Sequence, residues 1–301
     1  MKAYIVKLFR FKPRSNRYVI YRYEGLFGLA LMILMSVFFP KAIALEVLDY
    51  ENRSIKLDQP AKRIIALSPH ITENLFYAGL GDRIVGVSAY SDYPLQAKTL
   101  AVVSSYNSFN IEAIIALKPD LLVFWQSGGN QRLRASLDRF NLPYYVDEPR
   151  TLNDIARSIR DFTILGGISD IDEKANTFLR QIEQIKAKYA GAKPVRYFYQ
   201  VWHQPLQTVN NQHLISHAIR LCGGENSFGD LTILAPIISA EALVQADPDV
   251  LISRGEASLN LPEHLNIKRI RLKYGLERQT TRILLGIREV CENFERYRQM
   301  N

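Results

Sequence analysis

Short apolar runs alternate along the chain with longer stretches in which apolar residues recur every three or four positions. "RIIALS" (63–68), "RIVGVS" (83–88) and "LLVFW" (121–125) are nearly unbroken and rich in Ile, Val and Leu, the pattern of strands covered on both faces. Between them, "TENLFYAGL" (72–80) reads as a helix ended by Gly81, and "IEAIIALKPD" (111–120) as a helix stopped by Pro119. This rhythm predicts an α/β fold with a parallel sheet and helices on both faces. From Asp170 to Tyr189, Ile171, Ala175, Phe178, Ile182 and Ile185 share one helical stripe with no Gly or Pro between them. A helix of about 20 residues, about 30 Å long, is expected there. Strands resume at "VRYFYQVW" (195–202), so that helix, 170–190, is expected to join an N-terminal lobe, 45–169, to a C-terminal lobe, 191–301.

Residues 1–44 follow a different pattern. A basic stretch from Lys2 to Arg22 precedes an apolar run from Leu26 to Phe39, and Ala42 and Ala44 then occupy the small positions of an export cleavage site. The segment is expected to be a signal peptide removed after Ala44, leaving a soluble periplasmic product; the alternative is an uncleaved membrane anchor. The apolar run, about 14 residues, falls short of the roughly 20 that span a bilayer.

Removing the signal changes the charge. The whole chain carries a formal +8, but residues 1–44 hold eight Lys and Arg against one acid, leaving 30 basic and 29 acidic residues. A nucleic-acid partner is not expected of a mature chain so nearly neutral. The two cysteines, Cys222 and Cys291, lie in the exported part, where an oxidising compartment favours one disulfide over two buried thiols.

An internal echo suggests two similar lobes. "NIEAIIALKPDLLVF" (110–124) aligns without gaps on "SAEALVQADPDVLIS" (239–253), each with a helix cap, a Glu two residues later, an apolar helix, Pro-Asp and a buried strand. Catalytic signatures are missing: there is no nucleophile elbow, phosphate loop or H-E-x-x-H. His213 and His217 share a helical face but have no acidic or Cys partner at ligand spacing, so no metal site is expected there.

What remains is aromatic. Tyr90, Tyr93, Tyr106, Trp125, Tyr144 and Tyr145 are read as lying at or just beyond the C-terminal ends of strands, where open α/β sheets hold their ligands. Such rings cover large apolar area and keep a polar handle, which suits a large, partly polar ligand. In "IVGVSAYSDYP" (84–94), local turn chemistry accounts for Ser91, Asp92 and Pro94 but requires neither tyrosine.

At this point "IIALSPHITENLFYAGLGDRIVGVSAYSDYP", "NIEAIIALKPDLLVFW", "RLCGGEN" (220–226) and "LERQTTRILLGIREVCENF" closely resemble the class III periplasmic substrate-binding proteins of ABC importers, on their vitamin B12-binding branch. The resemblance implies two Rossmann-like lobes joined by a single long helix, with cobalamin or another corrinoid held in the cleft between them. It implies that Tyr90, Tyr93, Tyr106, Trp125 and Tyr145 line that cleft and that Cys222 and Cys291 form a disulfide. Glu112 and Glu241 would dock onto arginines of an inner-membrane permease and ATPase complex. A monomer with no catalytic activity, no cofactor and no metal follows. Two departures stand out: Ala235 replaces a tryptophan familiar in the second lobe, and the stretch at 260–275 is short and basic, with Lys268, Arg269, Arg271 and Lys273 read as a solvated face. The rival readings are the same fold binding haem or a ferric siderophore, with tyrosine on haem iron, and a metalloenzyme using His213 and His217.

Overall fold

The computed structural model describes residues 45–105, 108–128, 131–254 and 267–300. The signal peptide with its cleavage site, Tyr106 and His264 lie outside the described residues. An antiparallel hairpin of β1 (Leu45–Leu48) and β2 (Ser54–Leu57) comes first. The first sheet is built from β3 (Ile64–Ala66), β4 (Ile84–Ser88), β5 (Ala101–Ser105), β6 (Ser108–Phe109), β7 (Leu121–Trp125) and β8 (Tyr144–Asp147). Its order is β6-β5-β4-β3-β7-β8, parallel except for β6 against β5. The helices of this half are α1 (Pro69–Tyr77), α2 (Ile111–Ala116), α3 (Gln131–Arg139) and α4 (Leu152–Leu165). After α5 (Glu173–Lys188) come β9 (Val195–Gln200), the hairpin β10 (Trp202–His203) and β11 (Leu206–Gln207), α6 (Leu214–Arg220), β12 (Gly224–Asn226), α7 (Ala240–Ala246), β13 (Val250–Arg254), β14 (Lys268–Leu272) and α8 (Ile283–Met300). The second sheet is all parallel, in the order β12-β9-β13-β14.

Alternation along the strands sorts the core. Ile65, Leu122, Phe124 and Val146 face α2 and α3, whereas Ile64, Ala66, Val123 and Tyr145 face inward to a core that α4, α5 and α8 share with Tyr197, Tyr199 and Ile252 of the second sheet. The stripe of α5 is buried at Ala175, Phe178, Ile182 and Ile185. The helix is nonetheless shorter than expected, because it begins at Glu173 and leaves Ile171 outside it and exposed. The end of α1 also differs: Gly79, at φ +88°, closes it, with Leu80 N–H donating to the Leu75 carbonyl at 2.9 Å and Gly79 N–H to that of Phe76 at 3.1 Å. Gly81 lies beyond, in a 3₁₀ turn.

The echo is a structural repeat. Asn110 caps α2 by accepting from Ala113 N–H at 2.9 Å, and Ser239 caps α7 by accepting from Ala242 N–H at 3.1 Å. Both helices end in a left-handed residue, Lys118 (φ 47°) and Asp247 (φ 41°). Asp120 then accepts from Arg63 N–H at 2.9 Å, and Asp249 from Arg196 N–H at 2.7 Å. The same two arginines reach back to the helix ends, Arg63 to the Leu117 carbonyl at 2.7 Å and Arg196 to that of Ala246 at 2.6 Å. On the edge strand β14, exposed Arg269 and Arg271 alternate with buried Ile270 and Leu272, as a charged edge should. Cys222 and Cys291 are bonded to each other.

Candidate functional site

In each sheet the chain first moves to one side of a central strand and then returns to the other. The first sheet switches between β3 and β7, and the second between β9 and β13. Loops leaving the C-terminal ends of strands at a switch point form the natural ligand crevice of an open α/β sheet. At the first switch stand Trp125, the last residue of β7, and the entry to α1 at Ser68. At the second stand Val201 and Trp202 after β9, and Arg254 at the end of β13, which fills the slot of Trp125 in the repeat. Beyond β12, Leu231, Ile233, Leu234 and Ile237 are all exposed, so the wall around Ala235 is aliphatic where the sequence resemblance leads to an aromatic.

The turn after β4 separates local from outward-facing roles. Ser91 is buried, receiving a hydrogen bond from Thr72 Oγ1 at 3.1 Å and lying 3.3 Å from Ser88 Oγ. Tyr90 adopts φ 64°, a left-handed conformation costly for a bulky residue, and is 82% exposed. Tyr93 lies under Arg282, whose guanidinium carbon is 3.9 Å from the ring centroid.

Arg282 belongs to a clamp. Glu73, almost wholly buried on α1, accepts from Arg278 Nη1 at 2.6 Å and from Arg282 Nη2 and Nε at 2.5 and 2.8 Å. Asn74 Nδ2 adds a bond to the Gln279 carbonyl at 2.8 Å. The segment following β14 is thereby fixed onto the first lobe. The clamp roofs a cavity of about 250 Å³, lined from the first lobe by Asp92 and Tyr93 and from the second by Arg254, Lys273, Arg278 and Thr280. It is rich in cations, though Arg254 pairs with Glu277 and Arg278 lies 3.5 Å from Asp92. Tyr93, Ile283 and Leu285 give it some apolar surface, while most of the remaining lining is polar or charged.

Tyr145 is not part of this wall. It is the second residue of β8, at the opposite end of the strand from the crevice, and its ring is fully buried against Phe162 and Tyr50. Its hydroxyl donates to Asp161 Oδ2 at 2.7 Å, so nothing of it is left for a ligand. Tyr144, beside it, packs on Phe124 of the outer face. Sequence reading missed Trp202, taken as the end of a strand that stops at Gln200, and it missed the Glu73 clamp, whose partners lie 205 and 209 positions away.

His213 has a structural role. Its Nδ1 caps α6 by accepting from Ile215 N–H at 3.2 Å, which requires the neutral ring. Burial, with His217 nearby, lowers its pKa to about 4. Among the described residues, no group of three or more His, Cys, Asp or Glu could hold a metal ion. A folded pKa below the unfolded value of about 6.5 means that His213 contributes stability present above pH 6.5 and lost as pH falls through 4. Asp161, raised to about 6 chiefly by burial, acts in the opposite sense: its contribution is present below pH 3.8 and lost as pH rises through 6. His213→Asn keeps a cap acceptor but cannot titrate. Relative to wild type it should gain about 2 kcal/mol between pH 7 and 4.5 in urea unfolding. An equal difference at both pH values would contradict a buried neutral imidazole.

The profile of the periplasmic binding protein family matches residues 64–269. The chain belongs to that family. Within it, the chain is 37% identical over 252 residues to the vitamin B12-binding protein of Vibrio campbellii, covering 80% of this chain and 92% of the relative. It is 37% identical over 246 residues to the vitamin B12-binding protein of Yersinia pestis, covering 78% and 86%. The solved periplasmic vitamin B12-binding protein BtuF of Vibrio cholerae matches with a TM-score of 0.68 and 32% identity, over 80% of this chain and 99% of that one. The periplasmic heme-binding protein RhuT from Roseiflexus sp. RS-1 shares the fold, with a TM-score of 0.64, 21% identity and coverage of 79% and 99%. The architecture is that of the class III members of the family: two α/β lobes with a cleft at their strand ends.

Proposed function

We propose that the protein captures vitamin B12 or a related corrinoid in the periplasm, between its two lobes, and delivers it to an ABC importer in the inner membrane. The observation that carries the reading is the likeness to vitamin B12-binding proteins over nearly their whole length, on a chain whose two switch points each present an exposed or half-exposed tryptophan. The binder acts as a monomer without catalysis and without a resident cofactor. Residues 1–44 serve as the signal peptide, cleaved after Ala44; residues 45–169 and 191–301 form the lobes, joined by 170–190.

Titration with cyanocobalamin and with haemin, followed by visible absorbance, tests the ligand; stoichiometric binding of haemin alone would replace the corrinoid with haem. Tyr90→Gly adds a separation of effects. Glycine relieves the left-handed strain but adds entropy to the unfolded chain, two terms of about 1 kcal/mol that nearly cancel. Stability should therefore hold while cyanocobalamin affinity falls about tenfold, the loss of one interface aromatic. Unchanged affinity would remove Tyr90 from the cleft.

Glu112 and Glu241 are the docking acids in this reading. Each is the second residue of a repeat helix, and each is exposed. The Glu241 carboxyl is held below the usual carboxylate range by its own backbone N–H and by Ser239, so it is ionised at neutral pH. One carboxylate per lobe suits a permease of two related subunits, each meeting its acid with an arginine. A Glu112→Ala, Glu241→Ala double variant should bind corrinoid as wild type does and lower importer-dependent uptake about tenfold. Wild-type uptake would return both residues to the role of helix-end acids.

A further inference from the structure

We propose that His70 is a positioning residue, holding the Trp125 ring in the orientation in which the first wall of the cleft meets its ligand. The ligand half of this proposal rests on the corrinoid reading above; the placement of the ring does not. Trp125 stands partly exposed at the switch point, yet its Nε1 is buried and has no partner among the described residues, so no hydrogen bond from them orients the indole. Its orientation comes from its neighbours.

The imidazole of His70 meets the indole edge-on, with centroids 5.7 Å apart and planes at 86°. That imidazole is buried and held by a hydrogen bond on one side, where Ser68 Oγ lies 2.7 Å from Nδ1; on the other side Asp147 Oδ2 lies 3.2 Å from Nε2, close but outside hydrogen-bond geometry. Asp147 in turn accepts from Ser158 Oγ of α4 at 2.5 Å, and Ser158 Oγ is 3.0 Å from the Tyr50 hydroxyl. The contact that sets the ring is thus bonded to the start of α1 through Ser68 and packed beside the Asp147–Ser158–Tyr50 network of β8, α4 and the β1–β2 hairpin. From another side, Gly128 closes the clamp, since a Cβ there would lie 2.8 Å from the indole Cε3. Only a residue without a side chain lets that loop seat against the ring.

The experiment reads Trp125 directly. Trp202→Phe leaves it as the one tryptophan of the chain. In that background, His70→Gln, which removes the ring contact, and Gly128→Ala, which pushes from the exposed loop without entering the core, should each red-shift the ligand-free emission and raise acrylamide quenching. In the presence of Trp202, each should weaken cyanocobalamin binding about fivefold, and neither should weaken it further in a Trp125→Ala chain, because their effect passes through that ring. Unchanged emission in both variants overturns the proposal, as does an affinity loss that persists without Trp125. Failure of the wild-type chain to bind cyanocobalamin would instead sink the corrinoid reading, and the emission arm alone would then decide the role of His70.

Discussion

Replacing Glu73 with Ala is expected to lower unfolding free energy by about 2 to 4 kcal/mol and the melting midpoint by roughly 6 to 12 °C. Glu73 is the point where the segment after β14 is tied to α1, through three charge-assisted bonds from Arg278 and Arg282. Its side chain is only 4% exposed, so the carboxylate has given up its hydration for these partners. Removing it leaves two guanidinium groups beside each other at a site built for one negative charge. Each arginine is about one-third exposed, 35% and 36%, and can recover some water, which keeps the cost below that of a fully buried orphaned charge. Glu73→Gln retains the shape and one acceptor, and should lose about half as much. Because Arg282 also covers Tyr93 and Arg278 lines the cleft cavity, ligand affinity should fall with stability. A midpoint within 2 °C of wild type, measured by calorimetry, would show that the clamp is ornamental to folding.

That clamp marks the limit of what the linear sequence could show. Features governed by local chemistry were legible: β3, β4 and β7 as buried runs, the stripe of α5, and the repeat at 110–124 and 239–253, where caps, first-turn acids and helix stops lie within a few residues of one another. Features defined by partners far along the chain were not. "PYYVD" (143–147) contains a strand, but nothing local tells its entry from its exit; only the pairing of Leu122 with Tyr144 and of Trp125 with Asp147 shows that Tyr145 sits near the start, away from the crevice. "QVWHQP" (200–205) has the apolar content of a strand end, and Trp202 is carried outward only because the chain turns into the β10–β11 hairpin after Gln200. The helix stop at Gly79 instead of Gly81 is a smaller case: both glycines follow the apolar stripe, and the one that meets the left-handed position is set by where the last carbonyls fall. In the turn after β4, Ser88 and Ser91 make the local bonds, while Tyr90 is left outside.

Removing the Cys222–Cys291 bond should be costlier still. The two cysteines are 69 positions apart, and closing a loop of that length stabilises by about 4 kcal/mol on the chain-entropy model. A Cys222→Ala, Cys291→Ala variant should therefore melt roughly 8 to 16 °C below the oxidised protein. The position of the bond makes the consequence more than thermal. Cys222 follows α6 and Cys291 lies within α8, so the closed loop contains β12, the aliphatic segment at 231–237, β13, β14 and the arginines that reach Glu73. These segments build the second wall of the cleft and its tie to the first. Part of the junction survives without the bond, because Arg298 Nη2 donates to the Cys222 carbonyl at 2.6 Å, its Nε donates to the Lys193 carbonyl at 2.7 Å, and Val290 and Phe294 remain in the core. The variant should accordingly fold at low temperature with its first lobe unchanged, while hydrogen exchange rises across residues 222–291. Exchange confined to the immediate neighbours of the two cysteines, with a midpoint within 3 °C of the oxidised protein, would mean that packing alone holds α8 and that the disulfide adds little to the cleft.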